Sequence, residues 1–118
     1  MSNTQINIRQ ILITEPIKTA IIKYNDSVDF TKFILSNDLN EFRLSRMEQM
    51  MLSNFDKLLQ TEPVQLKIMN YIIDIDGIES QLYEIINGRH RVARAIIEDM
   101  KTIQCHIVSL HTFGLLIV

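Results

Sequence analysis

Apolar and polar residues alternate in some stretches of the chain and recur at three- and four-residue intervals in others. Alternation sends successive side chains to opposite faces of a strand, whereas the longer interval gathers them on one face of a helix. Residues 5–14, QINIRQILIT, alternate early: Ile6, Ile8 and Leu12 share a face, with Asn7 and Arg9 opposite. This predicts a strand. Glu15-Pro16 ends it, because proline lacks a ladder donor and restricts the residue before it. Residues 17–24 fit either a second strand or a loop. Asn25-Asp26-Ser27 is turn-like. Phe30, Phe33 and Ile34 then predict a short helix over 28–36, broken by Ser36-Asn37-Asp38.

Ser45-Arg46-Met47-Glu48 fits a capping box, in which the serine hydroxyl accepts from an amide three residues on and the glutamate reaches back. Met47, Met50, Met51, Phe55, Leu58 and Leu59 follow as one stripe at helical spacing. Together they predict a helix over 46–60, stopped by Thr61-Glu62-Pro63. Methionines in such a stripe read as adaptable core. Val64, Leu66 and Ile68 alternate with Gln65, Lys67 and Met69, which predicts a strand over 64–70. Residues 71–76 continue it or start a hairpin, and Asp76-Gly77 is a turn dipeptide. Residues 82–86 are the next strand. After Asn87-Gly88, the residues Val92, Ala93, Ala95, Ile96, Ile97 and Met100 predict an amphipathic helix over 89–100. Residues 103–108 alternate as a last strand, with Cys105 beside Ile103 and Ile107 on the buried face. The apolar end, GLLIV, needs a packing partner, for which a homodimer is one solution.

This order predicts a small α+β (mixed α/β) fold. It has a short mixed sheet, a hairpin and two to three helices, in a single domain over 1–118. Composition agrees: 47% of residues are hydrophobic and 22% charged, as in ordinary globular domains. The net charge of −2 argues against a broad nucleic-acid-coating surface, so any phosphate-directed function must rest on a local cluster. The lone Cys105 has no internal disulfide partner, and the N-terminal ten residues lack a secretory pattern. Both point to a cytoplasmic or otherwise intracellular setting. No apolar run reaches the length of a membrane helix, so no membrane partner is expected.

The stretch 83–91, Tyr-Glu-Ile-Ile-Asn-Gly-Arg-His-Arg, carries the most chemistry. A strand ends, Gly88 makes a turn, and a helix starts under three basic residues. Glycine permits positive φ and close approach of a ligand to the backbone. The first helical amides lack intrahelical partners and favour an anion. Arginine forks hold phosphate oxygens in pairs. Basic residues oppose the dipole at a helix start, which favours a functional reading over a solvated face. On a helical wheel Arg91 and Arg94 share the solvent side, while Arg89 points along the apolar side at the helix mouth. Arg89 or Arg91 would cover the ligand, and Arg94 would sit on the rim. His90 can donate to phosphate or transfer a proton. The alternative is a helix start whose arginines pair with Glu84, Glu79 or other acids.

Asn87-Gly88-Arg89-His90-Arg91, with Ala93 and Ala95 and then the strand IQCHIV, resembles the signature box of the ParB/sulfiredoxin superfamily. Pro63-Val64 before a strand, and a helix before that proline, resemble the order of ParB-like domains. The resemblance spans about residues 5–108, and its specific part is 83–95. It implies a compact fold that binds a nucleotide or phosphate at Asn87, Gly88, Arg89, His90 and Arg91. Members include partition-protein domains that bind and hydrolyse CTP, ParB-like nucleases, ATP-using sulfiredoxins and a serine-phosphorylating branch. Sulfiredoxins carry cysteine where Arg89 stands here, so their nucleophile is missing. Partition proteins carry glutamate there, and they add DNA-reading and dimerisation domains.

Other residues have two readings each. Asp74 and Asp76 lie two apart, so both face one side of a strand; they fit either an Mg2+ pair or an acidic hairpin tip. Glu84 is either a catalytic acid or an arginine partner. Arg43 and Arg46 are either a second phosphate contact or solvated. Cys105, His106 and His111 lack zinc spacing. The sequence therefore predicts a ParB-like domain that binds a nucleotide, CTP or ATP with Mg2+, or DNA. It would act as a nuclease or NTP hydrolase in DNA handling, with His90, Arg91 and Glu84 as the catalytic residues. The alternatives are an ATP-dependent, kinase-like phosphotransferase and a non-catalytic module that binds a charged partner.

Overall fold

The computed structural model describes residues 3–37 and 42–108. The apolar end GLLIV, His111 and Asp38 lie outside the described residues, and with them the proposed tail-mediated homodimer. The fold is α+β, as expected. A four-stranded sheet runs β1 (Thr4–Asn7), β6 (Thr102–Ile107), β4 (Val64–Ile75) and β5 (Ile78–Asn87). β6 lies antiparallel to β1 and parallel to β4, and β4 and β5 form the hairpin. A small parallel pair joins β2 (Ile13–Thr14) to β3 (Leu35–Ser36). The helices are α1 (Glu15–Tyr24), α2 (Leu44–Leu52), α3 (Phe55–Thr61) and α4 (Arg89–Ile97). Among the described residues no helix is long and apolar enough to cross a membrane.

Six expectations are corrected, four of them in the extent or type of an element. The strand expected over 5–14 breaks after Asn7. The Asn7 carboxamide accepts from the Arg9 amide and starts a 3-10 turn over Ile8–Gln10. The chain then enters the core with Ile11 and Ile13 fully buried. The second correction is Pro16, which opens α1 rather than only ending a strand. Proline is tolerated in a first helical turn, where its missing donor has no partner to lose. Residues 17–24 are thus a helix, with Ile17, Ala20 and Ile21 buried at helical spacing.

The third correction concerns the helix expected over 28–36. It shrinks to a 3-10 turn at Phe30–Lys32, because the Asp29 carboxylate captures both the amide and the hydroxyl of Thr31. Local side-chain bonds of this kind compete with the helical ladder. The fourth is the helix expected over 46–60, which is two helices. Ser53 Oγ donates to the Gln49 carbonyl at 2.9 Å, and Asn54 caps α3 by accepting from the Lys57 amide at 3.2 Å. The capping box does not form either. Ser45 lies inside α2, whose N-cap is Arg43 without a side-chain cap bond.

The hairpin is longer than expected and turns at Asp76-Gly77. Both residues have positive φ, the requirement of a tight type I′ turn. β4 shifts register between Ile68 and Ile72. α4 ends at Ile97, three residues early, where Asp99 takes positive φ and the Met100 amide reaches back to the Ala95 carbonyl. This is a Schellman-type stop. The core expectations hold: Met47, Phe55, Leu59, Val64, Leu66, Val92, Ala93, Ala95, Ile96, Ile103 and Cys105 are buried together. Met50 and Met51 pack against that core.

Candidate functional site

The strand-to-helix junction forms where the sequence places it. β5 ends at Asn87, Gly88 takes φ +114°, and α4 starts at Arg89. A Cβ at Gly88 would stand 3.1 Å from Val64 Cγ2 and 3.2 Å from Arg91 Cζ. Glycine is thus required twice, for its backbone angle and for space. The space belongs to Arg91, whose guanidinium folds back over Gly88 and donates through Nη1 to the Glu62 carbonyl. The missing Cβ leaves room for Arg91 on one side, while Gly88 also lines the cavity between α2 and α4. Burial holds the Arg91 pKa below the usual arginine value, while Glu62 opposes the shift.

Two helix N-termini meet here. α4 carries Gly88 as N-cap, and α2 carries Arg43. Neither has a side-chain cap bond or an acidic residue in its first turn. Their first amides therefore leave partial positive charge facing the space between them. His90 joins the two ends. Its ring stacks on Phe42 with centroids 4.2 Å apart. Its Nε2 lies 3.3 Å from the Arg43 amide nitrogen and 3.2 Å from the Arg43 carbonyl oxygen. Burial lowers the His90 pKa most; the Arg43 backbone contact opposes this, and the charges of Arg46, Arg89 and Arg91 lower it further.

The space is a cavity of about 560 Å³, within the range of small-ligand sites. Arg43, Arg46, Gln49 and Met50 line it from the α2 side. Asn87, Gly88, Arg89, His90 and Arg91 line it from the α4 side. Ser53, Leu58 and Glu62 close the rest. Four arginines and a histidine thus face one carboxylate, that of Glu62, among the described lining residues. Arg89 Nε is buried without a hydrogen-bond partner.

Several expected members lie elsewhere. Arg94 is not on a solvent rim, since its side chain is only 11% exposed. It donates to the Met50 and Ser53 carbonyls, pairs with Glu98 at 2.8 Å and lies over the Phe55 ring. It ties α4 to the α2–α3 break. Glu84 pairs with Lys67 at 3.2 Å across the hairpin and does not line the cavity. Asp74 and Asp76 sit at the far tip of β5, whose ten residues span about 30 Å at 3.3 Å each. Asp74 accepts from the Gly77 amide, and Asp76 pairs with Arg9 at 2.9 Å. The acidic hairpin tip is therefore the reading that fits. Among the described residues, no group of three or more His, Cys, Asp or Glu could hold a metal ion. Asp74 and Asp76, the pair expected to hold Mg2+, are thus engaged by the Gly77 amide and Arg9. Cys105 is buried, and burial pushes its thiol up to about 12.

Sequence reasoning missed Phe42, Gln49 and Glu62. The arginine pair at 43 and 46 did carry a signal: basic residues at a helix start without an acid, the same anti-dipole pattern as at 89–91. A second cavity, of about 570 Å³, lies at the other end of α4. It is lined by Arg9, Lys32 and Lys101 together with Asp29, Asp76 and Asp99.

No family model, curated protein or solved structure matches the chain.

Proposed function

We propose that this domain binds the phosphate groups of a nucleotide or of a nucleic acid in the α2–α4 cavity. One observation carries the reading. Two helix N-termini without side-chain caps and four arginines converge on a space that holds a single described carboxylate. Arg89 and Arg46 are the groups proposed to reach the phosphate. Arg91 shapes the floor, and His90 fixes the two helix ends against each other. The resemblance of residues 87–91 to the ParB/sulfiredoxin box supports the same ligand class, with CTP or ATP as the first candidates.

Binding stands ahead of turnover. A nuclease or NTP hydrolase needs a group to accept a proton beside the reacting phosphorus. Glu84, Asp74 and Asp76 lie outside the cavity, which leaves Glu62 and His90 for that work. The charged-partner module is therefore the form of the proposal that the geometry favours over the nuclease, the hydrolase and the phosphotransferase.

Calorimetric titration of the full chain with CTP, ATP, GTP and a short DNA, each with and without Mg2+, tests the reading. At least one of these binds, and Arg89→Ala weakens it about tenfold or more, the value of one charge-assisted contact. Failure of all four to bind overturns the proposal. Hydrolysis of a bound nucleotide, or nicking of a plasmid, would restore the catalytic form.

A further inference from the structure

We propose that His90 is a proton-linked latch: a phosphate-like anion enters the α2–α4 cavity together with a proton on His90, so affinity rises as pH falls through the histidine range. The inference rests on the anion-binding reading above and adds its regulation.

The geometry that carries it is the double contact of His90 Nε2. The Arg43 amide lies at 3.3 Å and the Arg43 carbonyl at 3.2 Å. A neutral ring with its lone pair on Nε2 accepts from the amide. A ring protonated at Nε2 donates to the carbonyl. The ring keeps a partner in the same place in both states, and Phe42 stacks on it. Protonation exchanges the bond from the Arg43 amide for one to the Arg43 carbonyl and needs no movement of the side chain. Burial and the surrounding charge then decide which state is held.

That charge changes sign of effect when an anion binds. Arg46 on the α2 side, and Arg89 and Arg91 on α4, act on the ring by their charge; Arg43 and, after α3, the acid Glu62 line the same cavity. Without ligand, the guanidinium groups of Arg46, Arg89 and Arg91 and two helix N-termini oppose a further positive charge, and burial adds to their effect on the ring. A dianion between the helices offsets that repulsion and favours the imidazolium. Linkage is reciprocal: if the anion strengthens proton binding, the proton strengthens anion binding by the same factor.

The test uses inorganic sulfate, whose charge stays constant between about pH 5.5 and 8, so the probe itself adds no titration. Its affinity for the full chain is measured across that range, alongside the His90 ring titration by NMR with and without sulfate. Affinity is expected to rise about tenfold toward low pH, and the ring should take up its proton at higher pH when sulfate is bound. His90→Gln keeps a group that can accept from or donate to Arg43 but cannot titrate, and it should flatten the slope to under about twofold. A slope that survives His90→Gln, or a ring titration that sulfate does not move, overturns the latch alone. Absence of binding by sulfate and by every nucleotide or DNA tested overturns the cavity reading and the latch with it. Nucleotide or DNA binding without sulfate binding keeps the cavity reading, and the ring titration repeated with that ligand decides the latch.

Discussion

The two ends of α4 open onto cavities of nearly the same size, about 560 and 570 Å³, with different electrostatics. At the N-terminal end four arginines and His90 face Glu62, and the helix dipole adds to the positive side. At the C-terminal end Arg9, Lys32 and Lys101 meet Asp29, Asp76 and Asp99. There Arg9 pairs with Asp76, and Asp29 spends its carboxylate on Thr31. Among the described lining residues, the first cavity sets four arginines and a histidine against one carboxylate, and the second sets three basic side chains against three acidic ones. Volume alone would rank them together. What separates them is the balance of charge among their lining residues.

Charge deletion gives the largest expected contrast. Removing Arg46 and Arg89 together, each to alanine, takes away two charge-assisted contacts of about 1.5–3 kcal/mol each. Nucleotide affinity should fall about 100-fold or more by calorimetry. Removing Lys32 and Lys101 together should leave it within about twofold, because those side chains line the other cavity. Equal losses from the two pairs would erase the distinction.

A glycine at each end comes next. Gly88→Ala forces an alanine to φ +114° and against Val64 and Arg91, for a cost of about 2–3 kcal/mol. Gly77→Ala meets nothing within 4 Å at φ +85°, so its cost is closer to about 1 kcal/mol. Denaturant midpoints of the two variants check this order.

The pH dependence of stability sharpens the contrast further. The folded protein holds the His90 pKa below the ordinary value near 6.5. Below that value the unfolded chain binds more protons than the native one, so stability rises with pH and is lost as pH falls. The loss levels off once pH drops below the folded-state value. Denaturant melts at a series of pH values should show this slope in the wild type and a shallower one in His90→Gln. The smallest effect belongs to the second cavity. Asp76→Asn removes a pair whose acid is 78% exposed, and stability should change by less than about 0.5 kcal/mol.

The hairpin, Gly88 and α4 were legible because their signals are local. Asp76-Gly77 needs no distant partner to make a turn, and Gly88 interrupts two clear periodicities. α1 was not legible. Its Thr19, Ile21 and Ile22 are β-branched, and Pro16 reads equally as the end of a strand or the start of a helix. The break between α2 and α3 was hidden by a stripe that keeps helical spacing straight through Ser53-Asn54. What breaks it is side-chain capture of backbone groups, fixed further by Arg94 from a distant helix. Arg94 itself was misplaced, since a helical wheel cannot show which neighbour covers a face. The half of the cavity built from 87–91 was anticipated. The half built from α2 and Glu62 depends on packing of α2 against α4.

By itself the sequence determined the α+β class, the Gly88 strand-to-helix junction and the unusual run of basic residues at a helix start. Each follows from spacing within a dozen residues. Tertiary structure alone decided that a second uncapped helix end faces the first, that Arg91 fills the glycine gap, and that Glu84, Asp74 and Asp76 stand apart from the cavity. The reason is physical. Local periodicity specifies which face of an element is apolar, but charge adds up in space, and only the folded chain brings residues 43, 46, 62 and 89 to one cavity.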